Sequence, residues 1–576
     1  MYSIFYLANS QSNHINRDFQ VRQVPSGKET IPMTSEELIA AGLAETGFTY
    51  LFPYQRLVIT NILEAARSAS IPLASPGAEA RREPDSSEAE RDQEVHIDAA
   101  PSEPDREVWS GYGKQIVILP TGAGKSLCFQ LPARLMNRPT LVVFPILALM
   151  ADQERRLREQ GTRVVLLRGN QSTEERQIIA EVLKTPSNVF IIANPEVLKT
   201  VQVRNMLRDA RIAHVVIDEA HCVSQWGESF RPAYLELSQI LAELKPPLVT
   251  AFTATASPSV LEKIRHYIFN DGEAHLVMGN PDRPNISYRV MKTLVKEAAL
   301  RELLRTLPRP AIVFCGSRSR TEQLARALRY ALGSREIYFY HAGLEREEKK
   351  TVEDWFFRSS RGILVATCAY GMGVDKSDIR SVIHFDCPNL VETYLQESGR
   401  AGRDGKPATA TLLWSPEDEG HRGKLAEYGK TGEQCRRELL LALLMGKEGL
   451  GLPPQDNGTG DADTPMIADS GEPACAESSG PVTCTGDENS CDVCLGTARQ
   501  TWREAPALLN LIRRNPRCFT LTEAASYLSR QDRLDLSREE ARQALLILLQ
   551  RGVLRESKNL LWRKTLVAGV LKESLL

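Results

Sequence analysis

Short apolar stretches alternate with amphipathic segments twice along this chain, and this alternation limits the folds open to it. In the first run, strands are predicted at Gln115–Leu119, Thr140–Phe144, Arg163–Leu167, Val189–Ala193, His214–Ile217 and Leu248–Thr253. In the second, they are predicted at Ala311–Cys315, Glu336–Tyr340, Gly362–Ala366, Ser381–Phe385 and Ala408–Trp414. Strands that alternate with helices form parallel sheets with helices on both faces. The sequence therefore predicts an α/β protein with two such domains in tandem.

A glycine-rich turn joins the first predicted strand to the helix that follows it. Gly122 and Gly124 can adopt backbone angles that point N–H groups inward, as a phosphate requires. Lys125 adds a positive charge, and the Ser126 hydroxyl is placed to ligate Mg²⁺. Leu119 replaces the first glycine of the usual pattern, so the match is incomplete. We expect the phosphates of a nucleotide to be bound by Thr121, Gly122, Ala123, Gly124, Lys125 and Ser126.

Two adjacent acids, Asp218 and Glu219, follow the strand His214–Ile217 at the end where parallel sheets present their ligand crevice. Asp218 is suited to holding Mg²⁺, and Glu219 to polarising an attacking water. Acids after a strand are common by chance. Together with Lys125 and Ser126, they predict a site that hydrolyses a nucleotide.

With these residues in place, the chain resembles the RecQ family of superfamily 2 helicases of the DEAH type. The blocks that carry the resemblance stand in family order: Pro120–Ala133, Pro145–Gln153, Asn194–Glu196, Asp218–Tyr234, Thr253–Ala256, Asp282–Ile286, Phe314–Arg318, His341–Leu344, Ala366–Lys376 and Tyr394–Gly405. The resemblance implies two RecA-like P-loop domains that use ATP and Mg²⁺. It also implies a DNA helicase that moves 3′ to 5′ on single strands and unwinds duplex, in DNA repair or recombination.

The resemblance implies further roles around the nucleotide. Gln55 matches the family's adenine-reading glutamine, while Phe52 replaces the arginine usual nearby, which implies looser base selectivity. Arg400 and Arg403 match arginines that reach the transferring phosphoryl group from the second domain. Without that match they would be interpreted as surface ion-pair formers. Closure of the two domains on ATP would then be the power stroke.

Contacts with single-stranded DNA are also implied by the resemblance. Trp226 and Phe230 lie in a segment similar to the RecQ aromatic-rich loop, where their rings can stack on bases. Arg231 can pair with phosphate or with the carboxylates of the ATP site. The alternative is that both aromatic residues belong to the core. Contacts with the backbone of the tracking strand are implied for Asn194, Thr255 and Thr367.

Five of the eleven cysteines lie within one region. Cys435 opens a helix and a C-x-x-C pair closes the region, as in the RecQ zinc module, and thiolates at this spacing can share one tetrahedral ion. The family's third cysteine is Glu488 here, and Cys484 is the preferred substitute, with Cys475 as the alternative. A metal-free hairpin of thiols is the other interpretation. We expect Zn²⁺ to be held by Cys435, Cys484, Cys491 and Cys494.

The last predicted domain is small and rich in Lys and Arg. Its predicted helices and strands are Pro506–Arg513, Thr522–Leu528, Arg538–Arg551, Val553–Arg555 and Leu560–Lys564. This order fits a winged helix whose basic surface faces DNA, and the alternative is an all-α packing module with a solvated basic face.

The expected organisation is an N-terminal segment of unknown role at 1–47, two helicase domains at 48–278 and 279–425, a zinc module at 426–498 and a winged helix at 499–576. Residues 70–110 and 446–489 are low in large apolar side chains and are predicted to be insertions. No long apolar segment or basic leader is present, so a cytoplasmic protein without a membrane partner is expected. Segments 1–47 and 70–110 could contact protein partners.

Two other functions remain open from the sequence. The chain could be a DNA-stimulated ATPase or translocase subunit of a larger assembly, such as a genome-defence system. It could also be a non-catalytic DNA-binding adaptor, although Lys125, Asp218, Glu219, Arg400 and Arg403 are all present. The net charge of −2 favours none of these, because binding to a polyanion depends on local patches.

Overall fold

The computed structural model describes residues 5–6, 33–46, 50–73, 113–120, 122–184, 187–225, 232–280, 282–370, 376–421, 423–445, 484, 486–487, 489–531, 534–558 and 563–569. The chain divides into two compact units, Met1–Pro281 and Asp282–Leu576. The insertions predicted at 70–110 and 446–489 lie largely outside the described residues.

The first unit is built on a parallel sheet of eight strands: β1 (Phe5–Tyr6), β2 (Lys114–Ile118), β3 (Thr140–Val143), β4 (Val164–Leu166), β5 (Phe190–Ala193), β6 (His214–Ile217), β7 (Leu248–Thr253) and β8 (His275–Met278). Their order across the sheet is β1-β8-β2-β7-β6-β3-β5-β4. Strands β3, β5, β6 and β7 are buried along their whole length, as expected where helices cover both faces.

The helices of the first unit are α1 (Ser35–Thr46), α2 (Pro53–Ser68), α3 (Lys125–Leu135), α4 (Leu147–Glu159), α5 (Thr173–Lys184), α6 (Pro195–Leu198), α7 (Val201–Asp209), α8 (Cys222–Gln225), α9 (Leu237–Leu244) and α10 (Pro258–Phe269). Helix α1 packs against α2 and α3 in an apolar cluster that includes Leu38, Ile59 and Leu131. The N-terminal segment thus supports the two helices that border the glycine-rich turn.

The second unit contains a parallel sheet of six strands: β9 (Ile286–Lys292), β10 (Ala311–Phe314), β11 (Ile337–Tyr340), β12 (Ile363–Ala366), β13 (Ser381–His384) and β14 (Ala408–Trp414). Their order is β11-β12-β10-β13-β14-β9, so β9 is an outer strand. Its helices are α11 (Lys296–Thr306), α12 (Arg318–Leu332), α13 (Arg346–Arg358) and α14 (Val391–Ser398). The two sheets confirm the predicted fold class of two parallel-sheet, RecA-like domains.

Further helices and a hairpin continue the second unit: α15 (Leu425–Lys430), α16 (Arg436–Met445), α17 (Ala505–Arg514), α18 (Leu521–Leu528), α19 (Arg538–Gln550), β15 (Leu554–Lys558) and β16 (Lys564–Ala568). One apolar core runs from the sheet through Trp414, Leu440 and Trp502 to Leu545. The predicted strand Leu560–Lys564 lies largely outside the described residues. The strand that the structure describes there begins at Lys564, and its Leu566 side chain packs into the core.

None of the helices in the described ranges combines the length and the apolar character that crossing a bilayer requires.

Candidate active site

The glycine-rich turn follows β2 and leads directly into α3. Gly122 and Gly124 have φ angles of 83° and 72°, in the left-handed region that favours glycine. Gly124 is the N-cap of α3, and its carbonyl accepts a hydrogen bond from Leu127 N at 3.1 Å. Thr121 lies outside the described residues. Backbone N–H groups at the start of a helix are therefore available to an anion at this turn.

Gln55, on α2, is tied to the same turn. Its Nε2 donates to the carbonyl of Ala123 at 2.9 Å, and its Oε1 accepts from Phe52 N at 2.9 Å. The Phe52 ring stacks on Tyr54, with the centroids 5.4 Å apart. Gln55 thus lies beside the turn and fixes its shape, while its predicted contact with adenine stays a prediction.

The acids Asp218 and Glu219 follow β6. In the sheet, β7 lies between β2 and β6, so the ends of all three strands are neighbours. Lys125 Nζ lies 3.4 Å from Glu219 Oε1, with both side chains largely buried. Glu219 has a φ of 50°, a left-handed conformation that is strained for a residue with a Cβ. The structure therefore brings Lys125 and the two acids together, and holds one acid in a strained conformation.

Asp218 is buried beside a second negative charge. Burial, and then the charge of Glu219, raise the pKa of Asp218 to about 7, while Lys125 opposes the increase. Its Oδ1 is buried and has no hydrogen-bond partner in the described part of the chain. A buried carboxylate oxygen without a donor is well suited to a divalent cation, so the residues present fit Mg²⁺.

His221 and Thr253 connect the acids to the end of β7, a link that we did not predict from the sequence. His221 Nδ1 lies 3.4 Å from Glu219 Oε2 and 3.0 Å from Thr253 Oγ1. The Thr253 hydroxyl donates to the carbonyl of Thr255 at 2.9 Å. The sequence signal for this link was the Thr253–Ala256 block, which is part of the resemblance but gave Thr253 no role. A change in the position of the Glu219 side chain would therefore be transmitted through His221 and Thr253 to Thr255, for which a DNA contact is predicted.

The predicted DNA contacts lie in different surroundings. Asn194 caps α6 by accepting from Val197 N at 3.2 Å. Thr255 and Thr367 are buried, and Thr367 Oγ1 accepts from Ala369 N at 3.4 Å. The predicted base-stacking and phosphate-binding residues lie outside the described ranges; these are Trp226, Phe230 and Arg231. The DNA-contact assignments stay predictions.

Arg400 and Arg403 belong to the second unit, in the turn that follows α14. Arg400 is buried and Arg403 is partly buried. Arg283 donates to three carbonyls of this turn: Gly399 at 3.1 Å, Ala401 at 3.3 Å and Gly402 at 2.9 Å. The turn is thus fixed by a side chain whose role the sequence did not indicate.

The structure brings four cysteine sulfurs together: those of Cys435, Cys484, Cys491 and Cys494, all within 4.8 Å of one another. Cys435 Sγ lies 3.6 Å from Cys484 Sγ and 3.9 Å from Cys491 Sγ. Zn–S bonds of about 2.3 Å in a tetrahedron place the sulfurs about 3.8 Å apart. This cysteine cluster therefore fits a tetrahedral zinc ion.

Hydrogen bonds link the cysteines to one another and to the backbone around them. The contact between Cys435 and Cys491 lowers the pKa of Cys491 well below its ordinary value and raises that of Cys435. Arg436 N donates to Cys491 Sγ at 3.4 Å, and Cys491 N donates to Cys484 Sγ at 3.3 Å. Cys475 lies outside the described residues.

The cysteine cluster is anchored to the outer strand β9. The Arg436 guanidinium, fully buried, donates to Asp492 Oδ1 at 3.0 Å. Asp492 Oδ2 accepts from Val290 N at 3.0 Å, and Asp492 N donates to Tyr288 O at 3.2 Å. The segment that bears the C-x-x-C pair therefore covers the edge of the second sheet.

The C-terminal helices are fixed to the second sheet by ion pairs. Arg301 on α11 donates to both carboxylate oxygens of Glu540 on α19, at 2.7 and 2.9 Å, and to Asp535 at 3.2 Å. Exposed arginines mark the end of α17 and the hairpin: Arg513, Arg514, Arg517, Arg555 and Arg563. Several arginine side chains are therefore exposed on the helices and hairpin predicted to form a winged helix.

Comparisons with known proteins found two family models, one matching within each unit. The family model of the DEAD/DEAH box helicases matches residues 97–264, and that of the helicase conserved C-terminal domain matches residues 295–405. The ATP-dependent DNA helicase RecQ of Pasteurella multocida is 38% identical over 304 residues, which cover 53% of this chain and 48% of that protein. The probable ATP-dependent DNA helicase RecS of Bacillus subtilis is 39% identical over 308 residues, which cover 53% of this chain and 61% of that protein.

A eukaryotic protein matches at a similar level. The ATP-dependent DNA helicase hus2/rqh1 of Schizosaccharomyces pombe is 39% identical over 354 residues, which cover 57% of this chain and 26% of that protein. The chain spans about half the length of the bacterial RecQ relatives that it matches.

Proposed function

The chain belongs to the RecQ family of superfamily 2 helicases, and we propose that it is an ATP-dependent DNA helicase. The observation that carries this proposal is the convergence of Lys125, Asp218 and Glu219 at neighbouring strand ends beside the glycine-rich turn. The named activities of the relatives support DNA as the substrate.

In the proposed reaction, Thr121 to Ser126 bind the phosphates of ATP, and Gln55 lies beside the adenine. Mg²⁺, when bound, would neutralise phosphate charge, and Ser126 and Asp218 would hold it. Glu219 accepts a proton from the attacking water, and its 3.4 Å contact with Lys125 keeps it oriented. The reaction class is hydrolysis of the terminal phosphate.

Arg400 and Arg403 stabilise charge on the transferring phosphoryl group in this proposal. Because they belong to the second unit, the site would be complete only when ATP brings the two units together. Each cycle of closing and opening would then move the chain along single-stranded DNA, in the 3′ to 5′ direction. We propose that the protein acts in DNA repair or recombination and that it is located in the cytoplasm.

The other contacts in the proposal follow the sequence predictions. Trp226 and Phe230 stack on bases, and Arg231, Asn194, Thr255 and Thr367 contact the strand. The α17–α19 helices with the β15–β16 hairpin would act as a winged helix on the duplex, an assignment supported by the exposed arginines. The cysteine cluster would bind Zn²⁺. Segments 1–47 and 70–110 are the proposed contacts for protein partners.

The test measures ATP hydrolysis and strand displacement by the full chain. We expect Lys125→Ala to abolish DNA-stimulated hydrolysis, while Lys184→Ala, which removes a surface lysine paired with Glu181, leaves it unchanged. Strand displacement from a duplex with a 3′ tail, but not a 5′ tail, supports the direction. Hydrolysis retained by Lys125→Ala would refute the site assignment, and hydrolysis without displacement would favour a translocase.

A further inference from the structure

We propose that Arg283 is a positioning residue for ATP hydrolysis, and that Arg437 in turn ties Arg283 to the cysteine cluster. Arg283 would hold the turn that carries Arg400 and Arg403, and Arg437 would hold the backbone from which Arg283 projects. This inference rests on the proposed function.

The first link joins Arg283 to the turn. Its three hydrogen bonds go to the carbonyls of Gly399 and Ala401, on either side of Arg400, and to that of Gly402, beside Arg403. Asn285 Nδ2 also donates to the carbonyl of Gly402, at 2.8 Å. A planar guanidinium can meet several carbonyls at fixed angles, which a lysine ammonium on a flexible chain cannot reproduce.

The second link joins Arg437 to the Asp282–Ile286 segment. Its guanidinium pairs with the carboxylate of Asp282 and donates to the carbonyls of Arg283 at 2.9 Å and Ile286 at 3.0 Å. It also lies over the Tyr288 ring, 5.5 Å from the centroid. The side chains of Arg437 and Asp282 are 5% and 9% exposed, so the charges are shielded from solvent screening.

The third link joins Arg437 to the cysteine cluster. Arg437 stands two residues after Cys435, at the start of α16, where Arg436 N donates to Cys491 Sγ. Arg437 also donates to the carbonyl of Asn489, just before Cys491, at 3.4 Å. The position of the Arg437 guanidinium therefore depends on how the cysteines are held.

A first experiment measures hydrolysis by full-length variants. Arg283→Lys should lower kcat roughly tenfold to a hundredfold, because small misplacements of catalytic groups have effects of that size, and should leave KM for ATP unchanged. Arg289→Lys is the matched control, because Arg289 lies nearby on β9 but donates to Ser287 and not to the turn. In the background of Arg400→Ala with Arg403→Ala, Arg283→Lys should change the residual rate less than about twofold.

Those results separate the two proposals. Absence of hydrolysis by the wild-type chain would overturn the proposed function. If the wild type hydrolyses ATP and Arg283→Lys leaves kcat unchanged, only the positioning role is overturned. The same holds if Arg283→Lys lowers kcat by the same factor in the Arg400→Ala, Arg403→Ala background as in the wild type. A rise in KM with unchanged kcat would also contradict it.

A second experiment follows hydrogen exchange of the amides of Gly399–Gly405. Arg437→Gln should speed their exchange about tenfold, because the backbone from which Arg283 projects loses its charge-assisted contacts, with the zinc content unchanged. Removing zinc from the wild type with a chelator should speed exchange of the same amides, while those of β10 stay slow. Unchanged exchange in the turn of Arg437→Gln would overturn the link to the cluster.

Discussion

The contact between Gly124 and Gln55 offers a quantitative test of how the nucleotide turn is built. In Gly124→Ala, the added Cβ would lie 2.4 Å from Gln55 Nε2, far inside van der Waals contact. The Gln55 amide must then move away and release the carbonyl of Ala123. The backbone is affected too, because alanine at a φ of 72° is strained.

Two contributions to the free energy of unfolding can be separated. The left-handed backbone conformation costs about 1–2 kcal/mol for a residue with a Cβ. Loss of the 2.9 Å hydrogen bond between Gln55 and Ala123 costs about 1 kcal/mol more. Gly161 supplies the control, because its φ is 71° and an added Cβ would meet nothing within 4 Å. The loss in free energy of unfolding should therefore be about 1 kcal/mol larger for Gly124→Ala than for Gly161→Ala.

Thermal unfolding of the full chain, at one scan rate, measures this difference. An excess of about 1 kcal/mol corresponds to a further drop in Tm of roughly 2–4 °C for a unit of this size. ATP affinity should fall in Gly124→Ala and stay unchanged in Gly161→Ala. In a Gln55→Ala background, the excess destabilisation should disappear. Equal Tm values for the two glycine variants would refute the contact between Gln55 and the turn.

The remaining predictions concern the cysteine cluster, an ion pair of the second unit and the acid of the nucleotide site. Cys484→Ser should lower zinc content in elemental analysis, whereas Cys475→Ser should not; the reverse would exchange the ligand assignment. Arg301→Met should destabilise the second unit by about 1–3 kcal/mol in urea unfolding, because it leaves the partly buried carboxylate of Glu540 without its partner. Burial alone would raise the pKa of Glu540, but hydrogen bonds from Arg301 outweigh it and the pKa is lowered. That stabilisation is complete above pH 4.5 and is lost as pH falls through the lower folded value, so the variant and wild type should converge in acid. Glu219→Gln should retain ATP binding and lower kcat at least about a hundredfold; an unchanged kcat would contradict its role as a base.

Buried strands were the part of the fold that the sequence predicted best. The strands His214–Ile217 and Leu248–Thr253 have the predicted bounds, because a strand covered on both faces must be apolar throughout. Strands β8 and β9 were missed, since polar residues such as His275 and Arg289 interrupt their apolar pattern. Strand order could not be predicted, because each strand's own residues do not specify its neighbours.

At the candidate active site, too, local patterns could be recognised in the sequence and contacts between distant residues could not. Lys125, Asp218 and Glu219 could be found because each belongs to a short local pattern at a strand end. The hydrogen bonds of Gln55 to Ala123 and of Arg283 to Gly402 join residues 68 and 119 positions apart, which a local pattern does not record. The Asp282–Ile286 block marked Arg283 as part of the resemblance, but its role required the three-dimensional contacts.

The covering of β9 by the cysteine-bearing segment has a consequence for solubility. An uncovered outer strand presents a row of unpaired N–H and C=O groups to which another chain can add. Val290 and Tyr288 are shielded from this by Asp492, which is held between two of the cluster's cysteines. In the proposed zinc-bound protein, removal of the metal should therefore expose this edge of the sheet to pairing with another chain. Light scattering during chelation would measure the resulting association.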